Sequence, residues 1–196
     1  MQDFLNNIPP AAQAYCQEIS TLYKFKFILK KSRLTKLGDF KIDRASGQYS
    51  VSVNKDLPPY QFLITFIHEL AHLKVAEDHP RSVKSHGAEW KNAFKVLLQP
   101  VLTKKVFPDQ LYRVLKKHML NPKAAAGSDP KLWNALKVYD NSEKSQQLNS
   151  VFDGASFNFR NKQFTKIKKR RTRILCKAQG TNRLYLIPGI ASVEPL

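Results

Sequence analysis

The sequence predicts an α+β chain in two parts: helices with a small antiparallel sheet over residues 1–140, then a small basic β module over 141–196. Three observations predict it. Residues 59–76 form one apolar helical stretch containing QFLITFIHELAH at 61–72, and helical spacing of apolar residues returns at 88–98 and 109–119. Ahead of that stretch, three short segments alternate in the manner of strands. Beyond residue 150 the pattern changes to short β-rich pieces split by turns, and residues 154–193 contain no acidic side chain.

Taken in order, residues 8–23 are a first helix. Pro9 and Pro10 suit its first turn, and Ala12, Tyr15, Ile19, Leu22 and Tyr23 share a helical stripe. Residues 25–29 (FKFIL), 39–42 and 48–53 are strands, the last two joined through a turn at Ser46 and Gly47. Strand 48–53 is either an inner strand or an edge able to pair with an extended substrate backbone. Pro58 and Pro59 open the central helix, and Pro80 ends it. A loop at 82–87 leads to a helix at 88–98 with Trp90, Phe94, Leu97 and Leu98 on one side. The 109–119 helix carries His118 as a surface residue, and a loop at 121–129 precedes a short helix at 130–137. The polar stretch 140–150 is the domain boundary. The β pieces follow at 151–159, 164–167, 172–176, 184–187 and 190–193, with turn signals at 180–182 and 188–189.

The composition bounds the function. Hydrophobic content of 42% supports a core. No run of about 18 apolar residues is present, so no membrane span is expected, and no basic-then-apolar leader is visible at the N-terminus. Cys16 and Cys176 read as reduced, buried thiols of a cytoplasmic protein, nucleoid-associated if the source is bacterial. Against 15 Asp+Glu stand 33 Lys+Arg, a formal net charge of +18. A field of that sign attracts polyanions. The expected partner is DNA, single-stranded or bound without sequence readout. Lys166, Lys168, Lys169, Arg170, Arg171 and Arg173, from the run KIKKRRTR, are the candidate phosphate contacts; a solvated charge run is the plain alternative. Phe157, Phe159, Phe164 and Tyr185 either stack on bases or form the core of the module, with packing the more common role.

The chemistry sits at His68, Glu69, Leu70, Ala71 and His72. Residues four apart share a helix face, so His68 and His72 can aim two imidazoles at one metal ion. Glu69 lies beside the first ligand, where it can act as general base on a metal-activated water. This is the arrangement of a zinc hydrolase with one catalytic Zn2+. A third protein ligand is required, and Asp78, His79, His86 and Glu89 compete. Local chemistry favours His86, a loop histidine at a helix start, where Gly87 permits close backbone approach.

HELAH, a spacer, and then His86-Gly87-Ala88-Glu89-Trp90 resembles the SprT-like metallopeptidase family, to which the Spartan proteases also belong. Leu37-Gly38-Asp39-Phe40 and Ser52-Val53-Asn54 look like that family's approach to the metal helix, and the resemblance spans roughly residues 22–98. It implies a zincin-like metallopeptidase core, zinc on His68, His72 and His86, Glu69 as catalytic base, and protein substrates bound or crosslinked to DNA. Many members end in a zinc ribbon. Here the corresponding 171–185 region keeps only Cys176, so the module resembles a ribbon that has lost its cysteines and has no second zinc. Two other functions stay open: a nucleic-acid-binding protein whose zinc site is catalytically silent, and a zinc peptidase with no nucleic-acid role.

Overall fold

The mixed α+β architecture expected from the sequence is present. The computed structural model describes residues 4–33, 36–79, 83–124, 128–139, 146–181 and 183–196, which contain five α-helices and two β-sheets. Pro80, Asn182 and residues 140–145 of the expected boundary lie outside the described residues. The chain divides into two units, Met1–Ala124 and Ala125–Leu196.

The first unit holds α1 (Pro10–Leu22), β1 (Lys26–Lys30), β2 (Gly38–Ile42), β3 (Tyr49–Asn54), α2 (Pro59–Asp78), α3 (Ala88–Leu98) and α4 (Asp109–His118). In α1 the buried stripe is Ala12, Cys16, Ile19 and Ser20, while Leu22, expected inside, is exposed at the last turn. His118, expected on the surface, is buried on α4. Both cysteines are free and buried.

The sheet is mixed, not purely antiparallel. Its order is β1-β3-β2, with β2 antiparallel and β1 parallel to β3. The β2–β3 hairpin is local: Asp43 Oδ1 accepts from Ala45 N and Ser46 N, and Gly47 supplies φ 70. Because the hairpin uses one side of β3, β1 takes the other. The chain leaving β1 must cross to β2, and that makes β1 run with β3. Strand β3 is therefore the inner strand; of the two edges, β2 is the one beside Glu69.

Helix α2 packs on this sheet and on α3. Residues 61–67 are buried without interruption, as expected of a helix apolar on all sides. Phe62 and Phe66 join Phe4 and Phe27 in a ring cluster with centroids 4.5–6.5 Å apart. His68 and His72 are the positions where α2 becomes partly accessible again.

The second unit holds α5 (Pro130–Lys137), β4 (Gln146–Gln147), β5 (Ser156–Phe159), β6 (Lys162–Arg170), β7 (Arg173–Ala178), β8 (Leu184–Pro188) and β9 (Ser192–Pro195). Asp129 caps α5 by accepting from Lys131 N and Leu132 N. The helix, grouped by sequence with the first domain, belongs to this unit, where Trp133 Nε1 donates to Ile190 O. The six strands form one antiparallel sheet in the order β4-β9-β5-β6-β7-β8.

Candidate metal centre

His68 and His72 come from α2, one turn apart, and His86 from the loop before α3. The Nε2 atoms of His72 and His86 are 3.0 Å apart, and those of His86 and His68 are 3.2 Å apart. One ligand atom from each of the three lies within 4.8 Å of the others, so the trio can hold a metal ion. Nitrogens bound at about 2.0–2.1 Å to a tetrahedral zinc stand roughly 3.3 Å apart, close to this spacing.

Electrostatics suit ligation. Burial, then the neighbouring His72 and His86, pushes His68 down to about 3. Burial, then His86, pushes His72 down to about 4, and burial lowers His86 as well. The imidazoles are thus held neutral, the form that donates a lone pair to a metal.

The loop is shaped for His86. Its backbone is left-handed at φ 59, a region histidine enters more readily than most residues. A Cβ on Gly87 would lie 2.8 Å from Lys84 O and 3.0 Å from Glu89 Oε2, so glycine is needed for steric reasons. Ser85 Oγ is 3.1 Å from His86 Nδ1, which leaves Nε2 for the metal. Trp90 is packed against all three imidazoles, with ring centroids 4.6, 5.6 and 4.7 Å from His68, His72 and His86. Its Nε1 donates to His68 O at 3.4 Å. The competing ligands lie outside the cluster among the described residues. Asp78 is committed to Lys74 at 2.8 Å, Glu89 turns back toward Gly87, and His79 is exposed at the end of α2.

Glu69 is buried between α2 and β2, 7% exposed. A Cβ on Gly38 would sit 2.5 Å from Glu69 Oε1, 2.7 Å from its Cγ and 2.8 Å from Thr65 Cγ2, so the side chain occupies space that only glycine leaves. Burial, then Asp39, raises the Glu69 carboxyl to about 8, opposed by Arg33, a hydrogen bond from the Phe40 N–H and Lys36. A dication beside it would favour the ionised form. Asn54, fully buried, secures the approach: its Oδ1 accepts from Arg33 Nε at 2.8 Å and its Nδ2 donates to Lys36 O at 2.9 Å. The role of Gly38 has no signature in sequence, because its partners Glu69 and Thr65 are brought near only by the fold. Ser85 is the sequence neighbour of His86, but which ring nitrogen it meets is decided by the loop geometry.

The basic run divides. Lys168, Lys169, Arg170, Arg171 and Arg173 are exposed. Lys166 is 6% exposed, donates to Val151 O at 2.6 Å and pairs with Asp153 at 3.2 Å. That corrects its assignment as a phosphate contact: its ammonium is already satisfied inside the sheet. Phe157 and Phe164 are fully buried and stacked at 5.8 Å, and Phe159 and Tyr185 pack edge-on against Phe164 at 6.4 and 5.5 Å. These aromatics form the core of the module.

No family model, no curated protein and no solved structure matches this chain. The SprT-like resemblance thus stands on the residues quoted for it.

Proposed function

We propose that the protein is a zinc-dependent metallopeptidase of SprT-like, zincin-type architecture acting on DNA-associated proteins, DNA–protein crosslinks among them, in a compartment that holds DNA. The observation that carries the reading is the convergence of three imidazoles on one point, with the buried Glu69 next to His68 in α2.

Zinc on His68, His72 and His86 would supply Lewis acidity toward water and the scissile carbonyl. The chain's own residues do the rest. Glu69 takes the water proton on its carboxylate and returns it to the leaving amine. Strand β2 offers a substrate edge. Asn54 N donates to Leu37 O and Asp43 N to Gln48 O, both at 2.9 Å, so the odd-numbered residues form the bonded pairs with β3. The N–H and C=O groups of Gly38, Phe40 and Ile42 therefore face the free edge; the Phe40 N–H is taken by Glu69, and the others can pair with an extended peptide. The exposed cations of the second unit hold the nucleic acid.

Zinc-loaded wild type and Glu69→Gln are compared on an unstructured protein substrate, with and without DNA. A loss of at least about 100-fold in cleavage at unchanged zinc content is expected. Equal cleavage by the variant would remove Glu69 from the chemistry. No cleavage by either protein would leave the nucleic-acid-binding reading with a silent zinc site.

A further inference from the structure

Resting on the nucleic-acid association proposed above, the sheet geometry points to a more specific partner. We infer that the outer face of β6–β7, formed by Lys168, Arg170, Arg173 and Lys177, is a platform for the phosphate backbone of double-stranded DNA.

The face follows from the register. Residues directly opposite one another in a sheet share a side. Phe164 pairs with Ala178, and Lys166 pairs with Cys176, all buried on the inner side. Strict alternation would then place Lys168 and Arg170 inside as well. A bulge between Lys166 and Lys168 shifts the register. Lys168 now opposes Leu175, Arg170 opposes Arg173, and Lys169 opposes the buried Ile174. Lys168, Arg170 and Arg173 therefore share the outer face with Lys177, which opposes Thr165, while Lys169 belongs to the other side. Lys177 lies outside the basic run and joins the patch only through strand pairing.

All four cations are exposed, and none has an ion-pair partner among the described residues. Of the described acids in the unit, Asp129 caps α5 and Asp153 pairs with Lys166. Glu194 lies on β9, in the row of Asn158 and Gln163, at the far end of the sheet. Arg170 and Arg173 face each other directly, a like-charge pair that destabilises a hairpin unless an anion lies across it. Lysine on a sheet edge also discourages strand association, but that purpose would not place Lys177 and Arg173 on the inner strand β7.

The form of the nucleic acid follows from what the face lacks. Stacking on aromatic rings is a main source of affinity for single strands. Phe157 and Phe164 are buried in the core, and Tyr185, opposite Cys176, is turned inward with them. The outer face instead carries Leu175, Leu184 and Leu186 beside its cations. It recognises charge without gripping bases, and a duplex presents the denser charge, about one per 1.7 Å of axis.

The full chain is titrated by fluorescence anisotropy with a blunt mixed-sequence DNA duplex and with one of its strands, each over a salt series. The duplex is expected to bind tighter. Lys168→Ala, Arg170→Ala, Arg173→Ala and Lys177→Ala should each weaken duplex binding about 3- to 10-fold and reduce the log–log salt slope by about 1, whereas Lys169→Ala changes affinity less than about twofold. Arg173→Ala should also melt at a higher temperature than wild type, which separates lost binding from lost folding. Tighter binding of the single strand, or a Lys169→Ala loss as large as that of Lys177→Ala, overturns the platform while leaving DNA association intact. No binding of either form at low salt overturns the nucleic-acid reading itself.

Discussion

The two units place their polar groups under opposite rules. In the first, three imidazoles converge and a carboxyl group on the same helix as two of them is buried, each held by specific neighbours: Ser85 on His86, Trp90 against all three rings, Gly38 and Phe40 against Glu69. In the second, cations are spread over an open sheet face with no ion-pair partners among the described residues. Burial makes the first site sharp, because desolvation sets its protonation states and contacts set its geometry. Exposure makes the second forgiving, because its field is the sum of several charges in water. A single substitution should therefore abolish the first and only erode the second.

The largest test of that contrast is His86→Ala. Zinc affinity should fall by at least about 100-fold, while duplex affinity stays within about twofold. Full zinc retention would return the third-ligand role to Asp78, His79 or Glu89; a parallel loss of DNA binding would show that the units are not independent.

The next effect concerns pH in the metal-free protein. The folded Glu69 carboxyl is raised to about 8 from an ordinary 4.5. The folded state thus holds a proton that the unfolded chain releases, and this stability is present below about 4.5 and lost as pH rises toward 8. Depressed histidines act in the opposite direction, with stability lost as pH falls below 6.5, but they are common to wild type and Glu69→Gln. After chelation, Glu69→Gln should gain on wild type by about 2 kcal/mol between pH 5 and pH 7 in denaturant melts. A constant difference across that range would show that burial does not hold the carboxyl protonated.

The smallest effect is expected from Gly38→Ala. One methyl group displaces the Glu69 side chain without touching a metal ligand. Cleavage should drop by roughly tenfold at unchanged zinc content. Unaltered kcat/KM would mean that the carboxylate has another productive position.

Much of the metal cluster could be read directly from the chain. His68 and His72 are related by helical geometry alone, and the helix at 59–78 follows from its apolar run. His86 was reachable because ligand chemistry and a glycine coincide at a helix start. What could not be read depends on partners distant in sequence. The side on which β1 meets β3 is decided after the local hairpin has formed. Leu22 and His118 exchange their expected exposures because the stripe of a short helix is defined by what packs on it. In KIKKRRTR every cation looks alike, yet Lys166 lies inward opposite Cys176 and one bulge then turns Lys168 outward. That distinction exists only once the strand has a register.

Trp90 has a consequence of a different kind. The chain has only two tryptophans, Trp90 and Trp133. The first rests against the three imidazoles, and the second hydrogen-bonds within the β unit. Nature has in effect installed one fluorophore per unit. In Trp133→Phe, the remaining emission reports on the metal site, and cobalt, whose bound form quenches nearby indoles, would turn ligand exchange into an optical signal. In Trp90→Phe, the emission follows the β unit. Loading of one half and engagement of the other can then be timed separately in a single intact chain, without an external label.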